Sequence, residues 1–181
     1  MDQLTAVPAS VDDLERWCLI ANVAAYEVCQ CRNSCIATSF ALAAFLREQG
    51  LQAEPFRAEV YIHSDDRAIT STSLGSSGDG TRRPAAAPGM WHGHLAVTCG
   101  DYVLDPTIDQ AEVGGISILP AVFAKPDGWD QGAAYCWDES DLHVRYKRYH
   151  RQVGWKSAGD ARPSHWRDIT WLMNAMVEAA A

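Results

Sequence analysis

Apolar residues recur at helical spacing through Leu14, Trp17, Cys18, Ala21 and Ala25, which predicts an amphipathic helix over about 11–28. Ser10 and Asp13 form a capping pair at its start. A polar break at Cys31-Arg32-Asn33-Ser34 follows, in which Asn33 or Ser34 can cap a second helix running from Cys35 to about Gln49 and closed by Gly50. Ile36, Ala37, Phe40, Ala41, Leu42, Ala44, Phe45 and Leu46 cover nearly its whole circumference, so this helix is expected to be the buried central one.

The period changes to two over Phe56 to Ile62, as in a half-buried strand. His94 to Cys99 and Tyr102 to Asp105 are strand-like, and Gly100-Asp101 between them fits a type II′ hairpin turn. Pro106 then ends the second strand. Ile116 to Phe123 is apolar but broken by Pro120, while Tyr135 to Trp137 and Val144 to Tyr149 read as later strands. A last helix, about 163–180, starts at Pro163 and puts Trp166, Ile169, Met173, Met176 and Val177 on one face. The stretch from His63 to Met90, rich in Ser, Gly, Ala and Pro, reads as a flexible insertion or as a lid over a substrate site.

A length of 181 residues with 48% hydrophobic and 21% charged positions predicts a single ordinary domain over 1–181. The net charge of −8 argues against bulk binding to nucleic acid or anionic membrane, and no apolar run approaches the roughly 18 residues of a membrane helix. The start, Met1-Asp2-Gln3-Leu4-Thr5, has no cationic region and no apolar run before Pro8, so no secretory signal is expected. The expectation is a cytoplasmic protein whose six cysteines, Cys18, Cys29, Cys31, Cys35, Cys99 and Cys136, are reduced.

One set of residues suggests chemistry. Cys35 stands in the first turn of the central helix, where unpaired N–H groups and the helix dipole favour an anion. If Gly100-Asp101 is the turn, Cys99 pairs with Tyr102, Val97 with Leu104 and Ala96 with Asp105. His94 then shares a sheet face with Asp105 as its diagonal neighbour, about 7 to 8 Å away, within reach of a long polar pair. The carboxylate can hold one ring nitrogen and leave the other for Cys35. His92 has the same parity and would face Asp109 on an extended ladder, which Pro106 disfavours.

The run from Ser34-Cys35-Ile36-Ala37 through Leu46-Arg47 to Gly50-Leu51 resembles the nucleophile helix of the transglutaminase-like superfamily. His94-Leu95-Ala96-Val97 and Val103-Leu104-Asp105-Pro106-Thr107 are similar to its histidine strand and its Leu-Asp-Pro-Thr strand end. The resemblance, over about 31–110, implies an α+β fold of the papain-like, transglutaminase-like kind, with a nucleophile-bearing central helix packed on an antiparallel sheet. It implies Cys35 as nucleophile, His94 as general acid and base, and Asp105 as the carboxylate that orients it. The implied activity is hydrolysis at an amide or related acyl carbonyl, as peptidase or deamidase, through a thioester; transfer of the acyl group to an amine is the alternative. Oxyanion or substrate contacts could come from the Cys35 N–H, Gln30, Asn33, Trp91 and His92. The substrate would be a protein, a peptide or a small amide, and no cofactor is called for.

Blander readings stand beside these. Cys29, Cys31 and Cys35 with His92 or His94 could ligate a metal, but the spacing is not that of a paired knuckle, and ordinary buried thiols explain Cys29 and Cys31. The stretch His143 to Arg151 is basic and aromatic; a solvated strand is its first reading, then a site for an acidic partner, then nucleic acid. A binding module that keeps the groove without catalysis is the rival to an enzyme. Trp129, Trp137, Trp155, Trp166 and Trp171 read as core or rim, with one or two able to wall a groove.

Overall fold

The computed structural model describes residues 9–29, 34–66, 72–75, 93–111, 116, 118–139, 141–149 and 163–180. Its helices are α1 (Val11–Cys29), α2 (Cys35–Glu48) and α3 (Pro163–Ala180). Its strands are β1 (Ala53–Ser64), β2 (Thr72–Leu74), β3 (His94–Cys99), β4 (Tyr102–Asp105), β5 (Ala121–Ala124), β6 (Ala134–Glu139) and β7 (Leu142–Arg148). Single 3-10 turns, which periodicity does not reveal, span Ile108–Gln110 and Trp129–Gln131.

Helix ends follow local chemistry. Before α1, the Ser10 N–H donates to Asp13 Oδ2 at 3.1 Å while Ser10 Oγ accepts the Asp13 N–H at 3.2 Å, a reciprocal cap. At the end of α2, Gly50 at φ +83° donates to the Arg47 carbonyl and Leu51 to that of Leu46, the paired closure that a left-handed residue permits. Ala37, Thr38, Ser39, Ala41, Leu42, Ala43, Phe45 and Leu46 are all buried, so α2 is the central helix that its uniform hydrophobicity predicts. On α3 the buried stripe is Ile169, Leu172 and Met176, whereas Val177, expected on that face, is 48% exposed.

The strands form one antiparallel sheet in the order β5-β4-β3-β1-β7-β6, with β2 also paired to β1. β1 is longer than its alternating core, and begins before Pro55. Proline is tolerated there because β7 pairs with β1 only from Ala58 onward, so only β3 flanks the strand at Pro55. Within the expected insertion from His63 to Met90, His63 and Ser64 belong to β1 and Thr72–Leu74 form β2, so this stretch is not structureless throughout.

Two cores lie on opposite faces of the sheet. Val97 and Leu104 face the helices with Leu14, Leu42 and Phe45, while Phe56, Val60, Val103, Val144 and Tyr146 line the other face. The sheet curls around this second core until its two edge strands meet: Phe123 of β5 stacks on Tyr135 of β6 with ring centroids 4.2 Å apart. β7 is therefore an interior strand. The expectation of a solvated strand holds for one face only, since Leu142, Val144 and Tyr146 are buried. On its other positions Lys147 pairs with Glu59 and Arg148 with Asp130.

Gly75, just after β2, lies against the start of β3. It has φ +80°, and a Cβ there would stand 2.1 Å from the Ala58 carbonyl oxygen and 3.4 Å from His94 Cβ. Backbone cannot yield to that overlap as a flexible side chain would. Gly75→Ala is expected to cost at least about 2 kcal/mol in urea unfolding; a wild-type midpoint would show that the backbone at Ala58 gives way to a methyl without cost.

Candidate active site

Three elements end at one place. Cys35 is the first residue of α2, His94 the first of β3 and Asp105 the last of β4, and they are 8%, 3% and 0% exposed. The hairpin has the register expected of a Gly100-Asp101 turn, with Val97 opposite Leu104 and Cys99 opposite Tyr102. His94 Nε2 lies 2.5 Å from Asp105 Oδ2. The diagonal pair thus closes into a short hydrogen bond on the inner face of the curled sheet.

Asp105 is held on both oxygens. Oδ2 also accepts the Tyr146 hydroxyl at 3.0 Å, and Oδ1 accepts the Thr107 N–H at 3.0 Å. Pro106 explains the second contact, because it has no N–H and the next amide, two residues on, closes an Asx turn. Burial and the carboxylate of Asp105 push the Tyr146 phenol well above its usual range, so it stays a donor.

Burial by itself would drive the His94 imidazole down. The charge and hydrogen bond of Asp105, reinforced by the hydrogen bond and charge of the Cys35 sulfur, outweigh it and raise the ring to about 10. His94 is therefore an imidazolium through neutral pH. With Nε2 on Asp105, Nδ1 is the nitrogen left for Cys35.

The helix is pinned to the histidine strand. Ser39 lies one turn after Cys35 on the same face of α2, and its buried hydroxyl donates to the Leu95 carbonyl at 2.9 Å. This bond ties the first turns of α2 to the start of β3. Ser39→Ala is expected to cost about 1 kcal/mol in urea unfolding and to slow alkylation of Cys35 in fully folded protein. Unchanged alkylation would show that packing of α2 alone sets the spacing between the thiol and the ring.

The turn after Asp105 ties the helices together. Asn22 of α1 donates to the Pro106 carbonyl at 2.8 Å and to Asp109 at 3.0 Å, and the Tyr26 hydroxyl donates to Asp109 at 2.7 Å. Gln110 Nε2 donates to Ser34 Oγ at 2.8 Å, immediately before Cys35. Ser34 thus occupies the N-cap position but makes no side-chain cap bond. On the Asp109 side no strand continues the hairpin: β4 stops at Asp105, Ile108–Gln110 is a 3-10 turn, and α1 engages Asp109.

No family model, curated protein or solved structure matches this chain. The site is thus read from its own geometry.

Gln30, Cys31, Asn33, Trp91 and His92 lie outside the described residues. Among the described residues no three His, Cys, Asp or Glu side chains are grouped to hold a metal ion, and no helix is long and apolar enough to cross a membrane. Cys18 is packed beneath Asp105, 1% exposed, with burial and that carboxylate raising its thiol well above the usual range. Tyr146, Ser39, Asn22 and Gln110 escape sequence reasoning. The parity of Tyr146 with Val144 marks it as inward-facing, but its partner is 41 residues away, and only the pairing of β7 with β1 brings the two together.

Proposed function

We propose that the chain is a cysteine-dependent hydrolase of papain-like, transglutaminase-like architecture, acting on an amide or related acyl carbonyl as a peptidase or deamidase. The observation that carries this reading is the buried His94 ring, held on one nitrogen by Asp105 with the Cys35 sulfur beside it. The cation beside the sulfur favours the thiolate, the nucleophilic form. The thiolate attacks the carbonyl carbon, and the oxyanion is stabilised by N–H groups at the start of α2, which have no intrahelical acceptor. As the C–N bond breaks, the His94 imidazolium gives its proton to the leaving amine. His94, now neutral, takes a proton from water, whose oxygen attacks the thioester and releases the acid, leaving the Cys35 thiolate and the His94 imidazolium as at the start. The reading carries with it a reducing, cytoplasmic setting in which Cys35 stays available.

Hydrolysis of a p-nitrophenyl acyl ester, whose phenolate leaves without needing a proton, tests this. Cys35→Ala and His94→Ala are each expected to lose about 10³-fold or more in kcat/KM, and Cys136→Ala none. A Cys35→Ala variant as fast as the wild type would overturn the proposal.

A further inference from the structure

A groove of about 650 Å³ follows the seam where the curled sheet fails to close, walled by α1, the approach to β5, and β6. β5 and β6 are the two ends of the strand order. Near Leu119 the seam is bridged by a side chain rather than by a ladder: the Leu119 N–H donates to Glu139 Oε1 at 3.2 Å. Leu19 and Leu119 are 53% and 71% exposed, large values for leucines lining a concavity, and Trp137 lies beside them. The charged side chains of the groove are all acidic, Glu15, Asp138 and Glu139. Exposed edge backbone, apolar side chains and a one-sided charge are together what an added strand recognises.

We propose that this groove docks an extended segment of a partner polypeptide in which apolar residues alternate with Lys or Arg. The segment lies along the β6 edge, with its apolar side chains against Leu19, Leu119 and Trp137 and its cations toward Glu15 and Glu139, Asp138 being already paired with His143. Charge selects this occupant over a second copy of the chain. At a net −8 two copies repel, and Lys147 and Arg148 of β7 are already paired with Glu59 and Asp130. The groove adjoins the candidate site, since the lining residue Ala121 is the register partner of Asp105. Docking does not depend on the catalytic reading.

Fluorescence anisotropy with a labelled Lys-Val-Lys-Leu-Lys-Val peptide tests the proposal, on wild-type protein and on Cys35→Ala. Binding is expected to be equal for both proteins, so a failure of catalysis does not touch it. It is expected to be at least tenfold tighter than that of Glu-Val-Glu-Leu-Glu-Val or Lys-Ser-Lys-Ser-Lys-Ser. Glu15→Lys and Leu119→Ser, both at surface positions, are each expected to weaken it fivefold or more. Equal binding of the Lys/Ser peptide would reduce the effect to general charge attraction, and undiminished binding by both variants would place the peptide elsewhere; either overturns the proposal. So would sedimentation showing a dimer that Leu119→Ser dissolves, because the groove would then hold a second copy.

Discussion

At pH 6, replacing His94 with alanine slows alkylation of Cys35 by iodoacetamide at least about tenfold, while Cys136 labels at an unchanged rate. An ordinary thiol is well under about 1% ionised at that pH, and a cation beside a sulfur raises the reactive fraction. A thiolate stabilised in this way is a weaker nucleophile, which takes back part of the gain and leaves about a factor of ten or more. The His94 imidazolium persists to about 10, so Cys35 is expected to label faster in the wild type than in His94→Ala throughout pH 6 to 8. Cys136, exposed on β6, is the internal reference, whereas Cys18 and Cys99 are buried and raised. Peptide mapping by mass spectrometry separates these sites. Cys35 labelling that is no faster in the wild type than in His94→Ala would contradict the pairing of the sulfur with the imidazolium.

Asp105→Ala is expected to destabilise the fold by about 3–5 kcal/mol. The carboxylate is fully buried and accepts from His94, Tyr146 and Thr107, so its removal leaves three buried donors without an acceptor and one of them charged. Asp105→Asn preserves the shape and isolates the charge. Because His94 rises from about 6.5 in the unfolded chain to about 10 in the fold, the folded state holds the extra proton. Its contribution to stability is complete below about pH 6.5 and is lost as pH rises through about 10. Urea midpoints of the wild type are therefore expected to fall between pH 6.5 and 10, and those of Asp105→Asn to fall much less. Equal slopes in the two proteins would show that Asp105 does not hold the histidine proton.

The parts of the fold legible in the sequence are those set by contacts along a few residues. Ser10 and Asp13, Gly50, and the Gly100-Asp101 turn each state a local geometry, and the turn also states the register that makes His94 and Asp105 neighbours. Cys35 was legible as the first residue of a helix without a polar face. What was not legible depends on the order of strands. β7 is interior because it lies between β1 and β6, an arrangement that no pattern within His143 to Arg151 carries. That arrangement brings Tyr146 onto Asp105, pairs Arg148 with Asp130, and curls the sheet until Phe123 meets Tyr135. Ser39 was hidden for a different reason. A serine on a buried helix reads as a small filler until the carbonyl it meets, that of Leu95, is known.

If Cys35 takes an acyl group and His94 drives its transfer to water, intact-protein mass spectrometry after rapid mixing with a p-nitrophenyl acyl ester and acid quench will catch the intermediate. One acyl group is expected on the wild type, mapped to Cys35 and lost on the timescale of turnover. None is expected at that position in Cys35→Ala, and a slowly formed, long-lived adduct is expected in Asp105→Asn. Acylation spread over Cys136 and lysines, with Cys35 unmodified, would contradict the role proposed for Cys35.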